Sequence, residues 1–286
     1  MKIIGSLTEI SRQAAKWQRQ GLKIALVPTM GCLHEGHLSL MRQAAAVADR
    51  IIVSIFVNPI QFGPNEDFGS YPRQFQTDCE LAEKEGVHAI FSPESKDMYG
   101  DSFQTKVHVA KLSEGMCGAD RPGHFDGVAT VVLKLFHLTL PDFAVFGQKD
   151  FQQLAIIRRL VIDLNLKVEI IGCPIVREQD GLAMSSRNKY LLGESRSQAL
   201  CLSKAIQTAR KFVAESQQQV PAATVISQTR EIIAQAGGKL EYAVVVNETT
   251  LENETIVTPQ SMLAIAVKIG GTVRLIDNAR LFPEPE

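Results

Sequence analysis

The run Arg50-Ile51-Ile52-Val53-Ser54-Ile55-Phe56-Val57 constrains the fold more than any other stretch of the chain. It is nearly continuous, apolar and β-branched, so it reads as a strand covered on both faces, and such strands belong to parallel sheets. Around it, strand-like runs alternate with helical patterns. Lys23 to Val27 precedes a helix from about His37, and Tyr71-Pro72-Arg73 opens a helix to about Glu85, followed by a strand over Val87–Phe91. After a loop-rich stretch come a helix over Val128–Leu138, a strand over Phe143–Phe146, a helix from Phe151 to about Leu164 and a strand over Lys167–Ile171. This alternation predicts an α/β fold with a Rossmann-like, doubly wound parallel sheet. Upstream, Ser6 and Glu9 form a capping box, Leu7, Ile10, Ala14 and Trp17 recur at helical spacing, and Gly21 marks the stop.

The pattern changes after Pro174. A polar, turn-rich stretch over Asp180–Asn188 leads to two helices, about Glu194–Glu215 and Ala222–Ala236. Three strand-like runs follow, Leu240–Val246, Met262–Lys268 and Thr272–Ile276. Helices followed by consecutive strands suggest a separate α+β unit. The expected division is therefore residues 1–175 and a smaller C-terminal α+β domain, 176–286.

Composition narrows the function. A net charge of −1 argues against a nucleic-acid binder driven by bulk electrostatics. No apolar run approaches membrane-spanning length, and the N-terminus is too poor in apolar residues for a signal peptide. Five scattered cysteines without a C-x-x-C pair suit a reducing compartment, so the expected location is cytoplasmic.

The chemistry concentrates at strand ends. Val27-Pro28-Thr29-Met30-Gly31-Cys32-Leu33-His34-Glu35-Gly36-His37 joins a strand to a helix. A helix N-terminus offers unpaired N–H groups and a positive dipole end, which together suit phosphate. His34 and His37, three apart, share one side of that first turn, and Gly36 between them leaves room for a flat group against the backbone. A single histidine here also reads as a structural partner of the βα junction. A metal pair is a further reading, although zinc helices space their histidines four apart and no cysteine pair supports it.

Asn58-Pro59-Ile60-Gln61 is a polar loop at the end of the central strand, where ligands of open α/β sheets sit. Gly147-Gln148-Lys149-Asp150 repeats the strand–turn–helix geometry with a lysine at the turn, and Met184-Ser185-Ser186-Arg187 sets hydroxyls and a guanidinium in one loop. Gln61 and Gln153 are neutral amides able to donate and accept, which suits a substrate with hydroxyls and a carboxylate. Asp78 is a carboxylate inside a helix, open to a role beside the waters of a magnesium ion or to plain solvation.

The H-x-G-H arrangement resembles the signature of the nucleotidyltransferase superfamily, and Met184–Arg187 is similar to its mobile K-M-S-K-S-type loop, with Arg187 in a lysine's place. Together with S-I-F-V-N-P-x-Q-F-G, Y-P-R, R-P-G-H-F-x-G-V-A-T-V-V, F-G-x-K-D-x-Q-Q and D-G-L-A-M-S-S-R-N, the chain resembles the pantoate–β-alanine ligase family over nearly its whole length. That resemblance implies a Rossmann-like ATP- and pantoate-binding domain, a C-terminal lid domain and a homodimer. It also implies ligation of pantoate and β-alanine with ATP and Mg²⁺ through a pantoyl-adenylate, releasing AMP and pyrophosphate.

Carried over by motif, Met30, Gly31, Cys32, Leu33, His34, Glu35, Gly36 and His37 would bind ATP, with His34, His37 and Lys149 catalytic. Gly147, Gln148, Lys149, Asp150, Val176, Met184, Ser185, Ser186 and Arg187 would also hold ATP. Gln61 and Gln153 would meet pantoate, with Gln61 also near β-alanine, and Pro28, Asn58 and Tyr71 would line the pocket. Asp78 would reach Mg²⁺ through water. The departures are Cys32 for a common alanine, Gln148 for a frequent glutamate, and Asn247 within a V-D-P-E-T-L pattern. The rival readings are another H-x-G-H enzyme, such as a cytidylyl- or NMN-adenylyltransferase, and a non-catalytic nucleotide-binding protein on the same fold. The paired glutamines and R-P-G-H-F count against the first. The retained lysine, histidines and Met-Ser-Ser-Arg loop count against the second.

Overall fold

The structure is a computed structural model that describes residues 1–64 and 66–282. Its strands are β1 (Lys2–Ile4), β2 (Ile24–Thr29), β3 (Arg50–Ile55), β4 (Ala89–Phe91), β5 (Phe143–Gly147), β6 (Glu169–Cys173), β7 (Lys239–Asn247), β8 (Ser261–Ile269) and β9 (Val273–Arg280). Its α-helices are α1 (Leu7–Arg19), α2 (Glu35–Val47), α3 (Phe75–Lys84), α4 (Ser95–Met98), α5 (Cys117–Asp120), α6 (His124–Thr139), α7 (Phe151–Asp163), α8 (Glu194–Ala199), α9 (Cys201–Glu215) and α10 (Ala222–Gln235). The chain separates into two compact units. One comprises Met1–Glu114, Gly118–Gln148 and Gln152–Pro174; the other comprises Gly115–Cys117, Lys149–Phe151 and Ile175–Glu286.

The first unit holds a six-stranded parallel sheet in the order β1-β4-β3-β2-β5-β6. The central run lies in β3, whose Ile51, Ile52 and Val53 are fully or almost fully buried. Parallel pairing needs crossovers, and the alternating helices provide them. α1 begins as its sequence predicts, with the Ser6 hydroxyl accepting from the Glu9 N–H at 3.3 Å. The order reverses at β2. From there the chain builds outward through β3 and β4, then returns through β5 and β6, so a topological switch point lies between β2 and β5. The β2–β3 ladder runs to Thr29↔Ile55, whereas the β2–β5 ladder stops at Leu26↔Ala144. Pro28, which has no N–H to give, sits beyond that stop.

In the second unit, β7, β8 and β9 form an antiparallel sheet with a register shift between Leu240 and Tyr242. α9 and α10 pack on each other and on the sheet, enclosing a core that includes Leu202, Ile206, Val225, Ile233, Leu263 and Ile265.

Several boundaries differ from the sequence reading. β1 is not announced by the sequence, because three residues carry too little pattern to read. α6 starts at His124 rather than Val128, so the R-P-G-H-F stretch ends inside a helix. Gly123, at φ 81°, supplies the turn before it. The helix expected from Glu194 to Glu215 is two segments, divided at Leu200. All five cysteines are free and buried.

Candidate active site

At the end of β2, Thr29 Oγ1 donates to the Ser54 carbonyl at 2.7 Å and accepts from the Gly31 N–H at 3.1 Å. The chain then passes through two left-handed residues, Gly31 at φ 81° and Cys32 at φ 52°. Glycine adopts this conformation freely, whereas a cysteine there is uncommon and must be held. What holds it is Asp78, whose carboxylate accepts from the Cys32 N–H and the Leu33 N–H, each at 2.8 Å. Gln74 Nε2 adds a third donor at 3.3 Å.

His34 caps α2 with extended backbone, φ −143° and ψ 174°, and its N–H reaches Nδ1 of His37 at 3.4 Å. The two imidazole centroids lie 4.1 Å apart. Both rings therefore sit together at a helix N-terminus beside the switch point, where the sequence placed them. Glu35 points elsewhere: its carboxylate takes the Arg42 guanidinium at 2.5 and 3.2 Å, and this hydrogen bonding holds it below the usual carboxylate range.

Beyond β3, Asn58 and Gln61 bracket a short 3₁₀ turn, Pro59–Gln61. Both are buried, at 1% and 8% exposure, so each polar atom needs a partner. Asn58 Nδ2 donates to Gln61 Oε1 at 3.0 Å and to the Gly127 carbonyl at 3.1 Å, while the Tyr99 hydroxyl donates to Asn58 Oδ1 at 2.7 Å. Burial raises the pKa of Tyr99, which keeps it a donor. Gln61 Nε2 lies 3.2 Å from Met30 Sδ, joining the β3 loop to the β2 loop.

α6 presses directly on this turn. A Cβ at Gly127 would stand 2.6 Å from both the Gln61 Cα and the Ile60 carbonyl oxygen, so only glycine fits. His124 Nδ1 is 2.8 Å from the Gln61 carbonyl and its Nε2 is 3.0 Å from Arg121 Nη1. A guanidinium only donates, so Nε2 accepts and Nδ1–H donates to Gln61. Arg121 is held in turn by Glu66. Burial opposes ionisation of Glu66, but the Arg121 guanidinium outweighs it and holds the carboxyl below its ordinary range. A cavity of about 190 Å³ opens beside Gln61, lined also by Ile60, Phe62, Lys106, His124 and Asp126 among others.

The remaining candidates fall as follows. Tyr71 is buried edge-on to Phe62, with centroids 6.0 Å apart. Gly147 ends β5, and Gln148, Lys149 and Asp150 form a 3₁₀ turn into α7. Gln153 is half-buried, while its neighbour Gln152 is buried and donates to the Leu112 carbonyl at 2.8 Å. Within the second unit, Asn278 Nδ2 donates to the Lys149 carbonyl at 2.8 Å. The Met184 N–H meets the Val176 carbonyl at 2.9 Å. Ser185 caps the 3₁₀ turn Ser186–Tyr190, accepting from the Arg187 N–H at 3.3 Å, so its own hydroxyl proton is not used in that bond. Ser186 is buried, and Met184 and Arg187 are half-buried.

The surroundings of Asp78 differ from the expected role beside a magnesium ion. It is 1% exposed, and both oxygens are engaged by backbone N–H groups. Among the described residues, no group of three or more His, Cys, Asp or Glu side chains is placed to hold a metal. Tyr99 and Glu66 have no role in the sequence reading, and Arg121 and Gly127 enter it only as members of a motif. Arg121 and Gly127 lie in the R-P-G-H-F-x-G stretch, which marks the region without assigning either a contact; Tyr99, 41 residues from Asn58, leaves no signal.

The chain resembles known proteins over nearly its whole length. Residues 2–280 match the family model described as pantoate-beta-alanine ligase. The pantothenate synthetase of Desulfotalea psychrophila is 55% identical over 284 residues, 98% of this chain and 99% of its own. That of Trichlorobacter lovleyi is 52% identical, over the whole of both chains. The crystal structure of pantothenate synthetase from Thermus thermophilus superposes with a TM-score of 0.92 at 39% identity, covering 99% of this chain and 100% of that one. The pantoate-beta-alanine ligase of Francisella tularensis, solved in complex with beta-gamma ATP and beta-alanine, gives 0.80 at 35% identity and covers 98% of each chain. No helix among the described residues is long and apolar enough to cross a membrane. The α/β architecture, the motifs and these matches agree: the chain belongs to the pantoate–β-alanine ligase family.

Proposed function

We propose that this chain joins pantoate to β-alanine at the expense of ATP, through a pantoyl-adenylate, releasing pyrophosphate and then AMP. The observation that carries the reading is the meeting of two loops at the switch point. The H-x-G-H helix start and the Asn58–Gln61 turn are joined there through Met30. Family membership supplies the chemistry, and the Francisella tularensis complex supports ATP and β-alanine as ligands.

The pantoate carboxylate is ionised at neutral pH and needs no base to attack the α-phosphorus. The site has to align the attack and neutralise charge gathering on phosphate oxygens. Met30 to His37 cradle ATP, His34 and His37 donate to its phosphates, and Lys149 and Arg187 bring positive charge. Gly147, Gln148, Asp150, Val176, Met184, Ser185 and Ser186 complete the nucleotide site. Gln61 and Gln153 read pantoate, with Pro28, Asn58 and Tyr71 around it, and β-alanine enters beside Gln61. In this reading residues 1–175 bind ATP and pantoate and 176–286 form the lid. Magnesium accompanies the nucleotide; among the described residues no group of three or more His, Cys, Asp or Glu side chains is placed to hold it. Cytoplasmic location, supported by five free cysteines, and a homodimer belong to the same proposal.

The test is an assay with pantoate, β-alanine and ATP, following AMP and pyrophosphate. Pantoate labelled with ¹⁸O in its carboxylate should pass label to AMP. Pantoate and ATP alone should exchange labelled pyrophosphate into ATP. Label in inorganic phosphate, with ADP as product, would overturn the assignment.

A further inference from the structure

We propose that Asp78 is a positioning residue that holds the H-x-G-H loop in its working shape, and not a partner of magnesium. The inference deepens the proposed function and rests on it. Two successive left-handed residues, Gly31 and Cys32, turn the N–H groups of Cys32 and Leu33 toward one point. Such a concavity of backbone N–H groups binds an anion. Here the anion is internal. Asp78 fills the concavity with one oxygen on each N–H, both at 2.8 Å.

The fit is close on every side. A Cβ at Gly31 would come within 2.9 Å of Asp78 Oδ2 and 3.1 Å of Ile55 Cγ2, so the glycine is required by the carboxylate as well as by its own φ. Asp78 also lies in the first turn of α3, where the helix dipole favours negative charge. With 1% exposure it is closed to the water-filled shell of a hydrated cation. The chain leaves this anchored turn at Leu33 and enters His34 at once, so the anchor sets where the α2 N-terminus and its two histidines begin. Without the carboxylate, two buried N–H groups lose their partner and Cys32 loses the contact that keeps it left-handed.

The decisive variant is Asp78→Asn, which offers one oxygen and sets an NH₂ against the other N–H. Pantoate-dependent pyrophosphate exchange should fall roughly 100-fold in kcat, the scale of a misplaced catalytic group. The KM for pantoate and the Mg²⁺ concentration giving half-maximal rate should stay within about twofold of wild type. Gly31→Ala, which pushes on the same oxygen, should show the same pattern. A variant whose main defect is a raised Mg²⁺ requirement, reversed by excess Mg²⁺, would overturn the proposal.

The wild-type protein gives an answer even if the variants do not fold. In the Mg²⁺-free, nucleotide-free enzyme, the Cys32 and Leu33 amide protons should exchange as slowly as those of β3, and the Asp78 carboxyl ¹³C shift should not move on adding Mg²⁺. Fast exchange of both amides, or a saturable Mg²⁺-induced shift, would reject the role. Wild-type enzyme inactive in pyrophosphate exchange would instead defeat the proposed function. The amide and ¹³C measurements would still report on Asp78.

Discussion

Two polar regions carry the candidate residues, and they are built differently. Around the loops after β2 and β3, Asn58, Gln61 and the α3 residue Asp78 are buried at 1%, 8% and 1% exposure, and each is tied to residues far away in sequence. In the stretch from Val176 to Tyr190, the ties are mostly short-range and half open to water. Asn188 donates to Glu178 and to the Ala183 carbonyl, and Arg196 pairs with Glu178 and Asp180. Arg177 reaches further, to a buried Asp277. A buried network with every partner in place is rigid and costly to disturb, whereas exposed pairs are cheap to make and break. The first region is therefore rigid, and the second is easier to rearrange.

The largest expected effect lies at a third strand end, outside both regions. Lys149→Ala should lower adenylation by roughly 10²–10³-fold, on the scale of a lost transition-state donor. Pantoate binding, measured by calorimetry, should be nearly unchanged. Near-wild-type adenylation would remove Lys149 from the chemistry. Next is Gly127→Ala, which drives a methyl group into the Gln61 backbone. It should cost about 1–3 kcal/mol of stability, read from urea unfolding, and should weaken pantoate more than ATP. An alanine tolerated at no cost would mean that the turn is softer than its contacts imply.

Gln61→Ala or Gln153→Ala should weaken pantoate by about tenfold, the worth of one good hydrogen bond. ATP binding without pantoate should persist. Equal losses for both ligands would place these glutamines at the wrong substrate.

The smallest effects are the acid responses of the two regions. Glu66 and Asp180 are both held below their usual pKa, Glu66 by Arg121 against the cost of burial and Asp180 by its hydrogen bond to Arg196. A depressed folded pKa gives stability that is present above the unfolded value and lost as pH falls through the folded one. Melting curves of Glu66→Gln and Asp180→Asn should therefore converge on wild type in acid. The gap near neutral pH should be wider for Glu66, whose pair is less exposed. A gap that widens in acid would reverse the sign and refute both pairings.

Much of the fold is legible because its signals are local. The apolar run at Ile51–Val57 announces a central strand, Ser6 and Glu9 announce α1, and strand–turn–helix punctuation locates both switch-point loops. Short or contradictory signals fail. β1 has three residues, and the glycines flanking His124 read as loop although α6 already begins there. At the site, the spacing of His34 and His37 brings them to one helix start. The environment of Asp78 is out of reach, since its partners lie 45 and 46 residues upstream. For the same reason Tyr99, 41 residues from Asn58, leaves no trace in the pattern. Spacing reports neighbours along an element, not the loops that a parallel sheet gathers from distant crossovers.

The burial of the cysteines makes them reporters of motion. Burial pushes the Cys79 thiol up, aided by the nearby Asp78 charge, and takes the Cys201 thiol to about 11. Thiolates are the species that alkylating reagents attack, so the native protein should react slowly at neutral pH. Labelling then requires an opening that bares the sulfur. Cys79 stands in α3 beside the anchored loop of the first unit, and Cys201 at the start of α9 in the second. Their separate alkylation rates, read by mass spectrometry of the cleaved protein, measure how often each unit opens. If ATP and pantoate tighten the first unit, the Cys79 rate alone should fall when they bind, giving a clock for that region that needs no mutation at all.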